Sequence, residues 1–258
     1  TFSIAWKYWA RKPISSGRSK RTSKASQRSA SRRVDGGDMA QRLKLGVLIS
    51  GGGSNLQSII DHIERGNLAA KIQVVISNNP DAYGLERARK HGLPAVCVRH
   101  TDFSDREAFD RELLRILTSS GVDLVVLAGF MRILTPVFLR AFEKRIINIH
   151  PALLPSFPGT HVQQKAIDAG VRFSGCTVHF VDEGIDTGPI IIQAVVPVLE
   201  GDTAQTLADR ILKEEHKIYP QAIRYFAEGR IRVEGLRVLI SASGSAPEAA
   251  LHNPPLES

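Results

Sequence analysis

The sequence predicts an α/β fold: a mostly parallel, twisted sheet with helices on both faces, folded as a single domain. Three observations lead there. From Lys44 onward, short apolar runs alternate with stretches of helical periodicity. The runs are continuous, as in strands covered on both faces. The first of them enters a Gly-rich turn and then a helix, the order of a βα unit.

Lys44–Ile49 (KLGVLI) reads as the first buried strand, and Asn55–Arg65 as a helix with Leu56, Ile59, Ile60 and Ile63 at i, i+3, i+4 and i+7. Ile72–Ser77 is the second strand. Tyr83–His91 and Asp105–Ser119 read as helices on either side of the short apolar run Ala95–Val98. Leu124–Leu127 and Ile146–Ile149 are further buried strands. Ser174–Val181 and Pro189–Val198 are longer and joined by a Gly-bearing loop, so strands of a different character are expected in the second half. Thr203–Glu228 reads as a long helix, capped by Asp202 or Thr203, with Gly229 beyond its end.

The 258 residues carry a formal net charge of +8, which invites a nucleic-acid or membrane-surface reading until the charge is located. Ten of the 34 Lys and Arg, but two of the 26 Asp and Glu, fall in Thr1–Asp38; from Met39 onward there are 24 of each sign. The core therefore gives no reason to expect a nucleic-acid partner. Residues 1–38 are Ser/Arg-rich without sustained apolar periodicity and are expected to form a disordered basic extension. A transit peptide, a basic binding arm and sequence upstream of a start at Met39 all fit it. The catalytic domain is placed at 39–240 and a flexible Ala-, Ser- and Pro-rich tail at 241–258. Cys97 and Cys176 lie far apart in apolar runs, where a free thiol behaves as a small hydrophobe, and suit a reducing, cytoplasmic setting over an organelle. No apolar stretch approaches the ~20 residues that span a bilayer, so a soluble protein with no membrane partner is expected.

Two clusters carry chemistry. The turn Ser50-Gly51-Gly52-Gly53-Ser54-Asn55 joins strand to helix, where backbone N–H groups can approach an anion and glycines let it come close. It matches neither G-x-G-x-x-G nor a P-loop, because Leu56 and Gln57 stand where those patterns need other residues and no Lys follows. A nucleotide cofactor is thus not expected. As plain structure, the turn requires only Ser54 or Asn55 as a helix cap.

In Arg145-Ile146-Ile147-Asn148-Ile149-His150-Pro151, two polar residues stand two apart at the carboxyl end of a strand. Strand periodicity puts Asn148 and His150 on one face, and ligands of open α/β sheets bind outside such ends. Pro151, Pro155 and Pro158 stiffen the loop that follows, whose Leu153, Leu154 and Phe157 are expected to form an apolar wall. Asp186 sits among ordinary turn residues in Asp182–Pro189. Singly, each of these has a structural explanation. Together, an amide donor, an imidazole and a carboxylate can stabilise the oxyanion of a tetrahedral acyl-transfer intermediate and keep the imidazole protonated. No Ser or Cys nucleophile with its own base accompanies them, which favours direct transfer, and no metal is expected.

The segments SGGGSNLQ (Ser50–Gln57), AGFMRIL (Ala128–Leu134), NIHPALLPSFPG (Asn148–Gly159), HFVDEGIDTGP (His179–Pro189) and EEHKIYP (Glu214–Pro220) together resemble the glycinamide ribonucleotide formyltransferases, folate-dependent enzymes of purine biosynthesis. The resemblance covers about Lys44 to Val233. It implies a Rossmann-like formyltransferase fold; the sequence leaves monomer and homodimer both open. The small-molecule partners it implies are glycinamide ribonucleotide and the formyl donor 10-formyltetrahydrofolate. Residue by residue, it implies that Gly53, Ser54 and Asn55 hold the substrate phosphate and that Glu215 contacts the glycinamide portion. Arg106, Met131, Arg132, Ile133 and Leu134 correspond to folate-contacting positions, joined by Asn148 and by Val181 and Asp182 of the loop that closes the pocket. Asn148 and His150 match the catalytic pair, and Asp186 the carboxylate that raises the histidine pKa.

Three other readings share part of this pattern. A methionyl-tRNA formyltransferase would add a C-terminal nucleic-acid-binding domain, for which too little chain is expected after Val233. A formyltetrahydrofolate hydrolase would use water in place of the amine and carry a regulatory domain ahead of the catalytic one. A phosphate-ligand-binding module is the non-enzymatic alternative.

Overall fold

The computed structural model describes residues 42–241 and 251–253. The expected basic extension at 1–38 and most of the expected tail lie outside the described residues. Within that tail segment, the Asn253 amide donates to the carbonyls of Arg172 (2.6 Å) and Val198 (3.0 Å).

The chain runs β1 (Leu43–Ile49), α1 (Ser54–Glu64), β2 (Ala70–Ser77), α2 (Tyr83–Lys90), β3 (Ala95–Cys97), α3 (Arg106–Ser119), β4 (Leu124–Leu127), α4 (Pro136–Ala141), β5 (Ile146–His150), α5 (Val162–Asp168), β6 (Phe173–Phe180), β7 (Ile190–Pro197), α6 (Ala204–Ala227), β8 (Ile231–Glu234) and β9 (Arg237–Ile240). Seven strands form one sheet in the order β3-β2-β1-β4-β5-β6-β7. Pairing is parallel from β3 to β5 and antiparallel from β5 through β7, which accounts for the different character of the last two long strands. A separate hairpin, β8–β9, follows α6.

Both sheet faces are covered, and the period of two along β1 shows how. Leu45, Val47 and Ile49 pack with Leu56 and Ile59 of α1 and Tyr219 of α6. Leu48 turns to the other face and packs with Leu113 and Leu117 of α3 and Phe138 of α4. Each such fully buried side chain contributes about 1.5–3 kcal/mol of transfer free energy. Helix ends are set locally: Asp105 accepts from Ala108 N at 2.8 Å to start α3, and Thr203 and Thr206 form a reciprocal cap on α6.

Pro220 lies inside α6 and has no N–H to offer the carbonyl four residues back. That carbonyl, of His216, accepts instead from Ser58 Oγ on α1 at 2.8 Å, so the break in one helix's ladder becomes a bond between two helices. Two expectations change. Cys176 is buried as predicted, but Cys97 is exposed, because β3 is a three-residue edge strand that ends there. Helices α4 and α5, of six and seven residues, are too short to leave a periodic signal and are not among the expected elements. Among the described residues no helix is long and apolar enough to cross a membrane.

Candidate active site

β5 is the strand at which the sheet changes direction. Asn148 stands beside Leu127 in the parallel ladder and opposite His179 in the antiparallel one. Asn148 and His150 share a face as the two-residue spacing predicts; Asn148 is half-buried and His150 is 4% exposed. His179 is buried behind them, with Nδ1 2.8 Å from the carbonyl of Phe180 and Nε2 3.2 Å from Asn148 Nδ2. A carbonyl only accepts, so the proton is on Nδ1 and the bare Nε2 receives the Asn148 amide. Burial pushes the His179 pKa down, which keeps the ring in this neutral form. The second N–H of the Asn148 amide has no protein partner among the described residues.

Both nitrogens of His150 face acceptors. Nε2 is 2.9 Å from the carbonyl of Phe157, and Nδ1 is 3.4 Å from Asp186 Oδ2. The first is an ordinary hydrogen bond; the second is longer than one. Asp186 Oδ1 also lies 3.7 Å from His179 Nε2, so one carboxylate faces two imidazoles. The carboxylate is held by the Gly159 N–H at 2.9 Å. Phe157 (φ 53°) and Asp186 (φ 55°) both adopt left-handed backbone, a conformation that costs a non-glycine residue roughly 1–3 kcal/mol and marks constrained sites.

At the carboxyl end of β1, on the same edge of the sheet, Gly53 (φ 69°) is the cap position of α1, with no side-chain cap on the first turn. Neither Ser54 nor Asn55 plays the capping part. Asn55 instead crosses to α6 and donates to Glu215 Oε2 at 2.7 Å, uniting two predicted site residues 160 positions apart. Glu215 is buried, and burial pushes its pKa up against the opposing pull of the Asn55 bond. Asn55 Oδ1 is buried with no partner among the described residues.

The segment after β4 carries Met131, Arg132, Ile133 and Leu134. Leu134 is buried, whereas Met131 and Ile133 are 69% and 60% exposed, and Ile185 of the 181–187 loop is 58% exposed. Met131, Ile133 and Ile185 are thus large apolar side chains left in solvent. The segment is pinned at both ends: Met131 N–H donates to Ser50 Oγ (2.8 Å), and Thr135 donates through N and Oγ1 to Asp110 Oδ2 (2.6 and 2.7 Å). Burial pushes the Asp110 pKa up, and the charges of Arg106 and Arg132 oppose that shift. Arg106 is exposed at the start of α3, in a groove of about 580 Å³ shared with Thr135 and Arg111. It makes no hydrogen bond or ion pair to Asn148, His150 or Asp186. Val181 is anchored by its N–H to Ile146 O (3.0 Å), and Asp182 Oδ1 shapes the loop by accepting from Gly184 N (3.1 Å) and Thr187 Oγ1 (2.7 Å).

Several residues that build the site escape sequence reasoning. Ser50 donates to Asn78 Oδ1 (2.6 Å) while accepting from Met131, tying the Gly-rich turn to the apolar segment. Thr177 Oγ1 donates to Ala152 O (2.7 Å) and accepts from Leu154 N (3.1 Å), fixing the loop after β5. The expected apolar wall of that loop turns inward: Leu154 is buried and Phe157 packs on the core, contributing its carbonyl to the site and not its ring. A polar residue inside an apolar strand, as at Thr177 and His179, is the one signal the sequence carried for these. Among the described residues no group of three or more His, Cys, Asp or Glu is placed to hold a metal ion.

This geometry has close relatives. Residues 43–223 match the family described as formyl transferase. The phosphoribosylglycinamide formyltransferase of Escherichia coli is 46% identical over 187 residues, which is 72% of this chain and 88% of that protein. The trifunctional purine biosynthetic protein adenosine-3 of Drosophila pseudoobscura is 52% identical over 193 residues, 74% of this chain but 14% of that much longer protein. The crystal structure of glycinamide ribonucleotide transformylase 1 from Symbiobacterium toebii superposes with a TM-score of 0.77 at 52% identity, covering 82% of this chain and 99% of that one. A more distant likeness, 29% identical with a TM-score of 0.74 over 78% of this chain and 67% of that one, is a formyltetrahydrofolate deformylase from Pseudomonas syringae. With a match over most of its length, the chain belongs to the formyl transferase family.

Proposed function

We propose that the chain transfers the formyl group of 10-formyltetrahydrofolate to the amine of glycinamide ribonucleotide, a step of purine biosynthesis. The observation that carries this reading is the pairing of His150 with Asp186 beside an Asn148 amide that has one N–H uncommitted. The folate supplies the formyl group; every other part is the chain's own. Asn148 offers its free N–H to the negative charge that develops on the formyl oxygen. His150, between the Phe157 carbonyl and the Asp186 carboxylate, is the second donor, through Nδ1. The amine nitrogen bonds to the formyl carbon, the bond from that carbon to folate N10 breaks as the tetrahedral intermediate collapses, and the proton the amine gives up passes by way of His150, whose ring Asp186 holds, to N10.

Gly53, Ser54 and Asn55 take the phosphate on the first-turn N–H groups of α1, and Glu215 takes the glycinamide end. Met131, Arg132, Ile133 and Leu134 with Val181 and Asp182 flank the folate ring, and Arg106 faces its anionic tail. The catalytic domain spans 39–240. An exposed free thiol at Cys97 supports a reducing, cytoplasmic site of action.

The likeness to the deformylase keeps one competing reaction in view, hydrolysis of the same donor. The protein is incubated with 10-formyltetrahydrofolate with and without glycinamide ribonucleotide, and tetrahydrofolate is followed. Release that depends on the amine supports transfer; equal release without it makes the protein a hydrolase.

A further inference from the structure

The Gly-rich turn offers N–H groups to an anion but no charge of its own. Among the described residues one cationic side chain hydrogen-bonds to it. Arg87 of α2 donates from Nε to Gly52 O at 2.8 Å and from Nη1 to Gln57 Oε1 at 3.3 Å. Its guanidinium lies 4.9 Å from the centroid of the Tyr83 ring, which supports it from one face. Its Nη2 makes no hydrogen bond among the described residues.

Two glycines bring α2 this close. Gly84 N donates to Gly51 O at 3.0 Å, and a Cβ on Gly53 would sit 2.7 Å from Gly84 Cα. Arg87 and Ser54 then line one groove of about 330 Å³, together with Gln57, Ser58 and His216.

The other basic groups of that groove are placed or paired elsewhere. Arg65 is a helix length from Ser54, roughly 16 Å at 1.5 Å per residue, and pairs with Asp61 at 3.6 Å. His62 Nδ1 is bound to the carbonyl of Ser58 at 2.8 Å. Burial pushes His216 towards its neutral form.

Resting on the reading that Gly53–Asn55 hold the substrate phosphate, we propose that Arg87 supplies the cation of that site. Nε and Nη1 hold the turn in shape while Nη2 turns to the phosphate oxygens. The same contact makes Arg87 a specificity determinant: a substrate without a phosphate dianion gives the guanidinium nothing to pair with.

Formyl transfer to glycinamide ribonucleotide and to its dephosphorylated riboside separates this role from a purely architectural one. Arg87→Gln is expected to lower kcat/KM for the ribonucleotide roughly 10–100-fold, mainly through KM, and for the riboside less than about threefold. Arg87→Lys should fall between, since it keeps the charge and loses the fork. Equal losses on both substrates would place Arg87 in the architecture of the turn and overturn the proposal, and so would no loss on either. Calorimetric titration of ribose 5-phosphate reads the same contact without formyl transfer. The wild-type protein should bind it and Arg87→Gln should bind it more weakly by the same factor, both proteins having matching melting profiles. No binding by the wild type, or unchanged binding by the variant, overturns the assignment. A wild type that transfers no formyl group sinks the functional reading, and the titration still decides Arg87.

Discussion

Asn148 Nδ2 lies 3.2 Å from Nε2 of His179, its partner across the antiparallel β5–β6 ladder. The imidazole has given its one proton to the Phe180 carbonyl, so a lone pair is all it presents to the amide. The direction in which Asn148 offers its remaining N–H is therefore set from behind, by a buried residue of the next strand.

His179→Leu keeps the bulk and removes the acceptor. Steady-state kinetics should show kcat reduced about tenfold with little change in either KM, and unfolding in urea should show a loss of about 1–3 kcal/mol. The pH dependence has a definite sign. Burial pushes the His179 pKa down, so its contribution to stability is full above the unfolded value of about 6.5 and is lost as pH falls through the folded one. Between pH 7.5 and 5.5 the wild type should lose more stability than His179→Leu. His216, lowered by burial in the same way, leaves part of the slope in the variant.

Removing a donor or its support should act on the chemical step. Asn148→Ala and His150→Ala are each expected to lower kcat by about 10²–10³. Asp186→Asn should do the same while glycinamide ribonucleotide binding, measured by calorimetry, stays near the wild-type value. Near-normal turnover in any of the three would remove that residue from the reaction.

Glu215 should show the opposite pH behaviour. Its pKa is pushed up by burial, so the folded state favours the protonated carboxyl: the associated stability is present at low pH and lost as pH rises through the folded value. Glu215→Gln keeps an acceptor for Asn55 and carries no charge. Scanning calorimetry should find it more stable than the wild type at pH 8, with the difference shrinking towards pH 4, and KM for the amine substrate should rise.

Asp110 touches none of the groups assigned to the chemistry, yet through Thr135 it anchors the end of the segment proposed to flank the folate. Asp110→Ala frees Thr135 from two short bonds and should cost about 1–3 kcal/mol of stability. The kinetic signature expected is a raised KM for 10-formyltetrahydrofolate with KM for the amine unchanged.

What the sequence made legible follows from periodicity. Strands β1, β2, β4 and β5 announce themselves as continuous apolar runs because both of their faces are covered. The spacing of Asn148 and His150 gives their common face for the same reason that it gives the strand. Contacts across the sheet leave no such trace. His179 stands in the apolar run CTVHF, and only the β5–β6 register brings it opposite Asn148. The Asn55–Glu215 bond joins two ends of the domain, each of which the family resemblance had assigned to the substrate separately. Asp110 reads as an ordinary helix position until α3 is laid against Thr135. Helices α4 and α5 are missed because six or seven residues make fewer than two turns.

The reversal of strand direction at β5 has one more consequence. β5 is bonded on both sides, in parallel to β4 and antiparallel to β6, so its amide protons lie in the interior of the sheet. Slow hydrogen exchange is expected of such a strand, with opening free energies near that of global unfolding. Asn148 and His150 are thus mounted on backbone expected to open rarely, while Asp186 reaches them from a connection outside the ladders. The two sides of that contact should differ accordingly, with the β5 amides exchanging near the limit set by global unfolding and the amides of the 182–187 connection sooner.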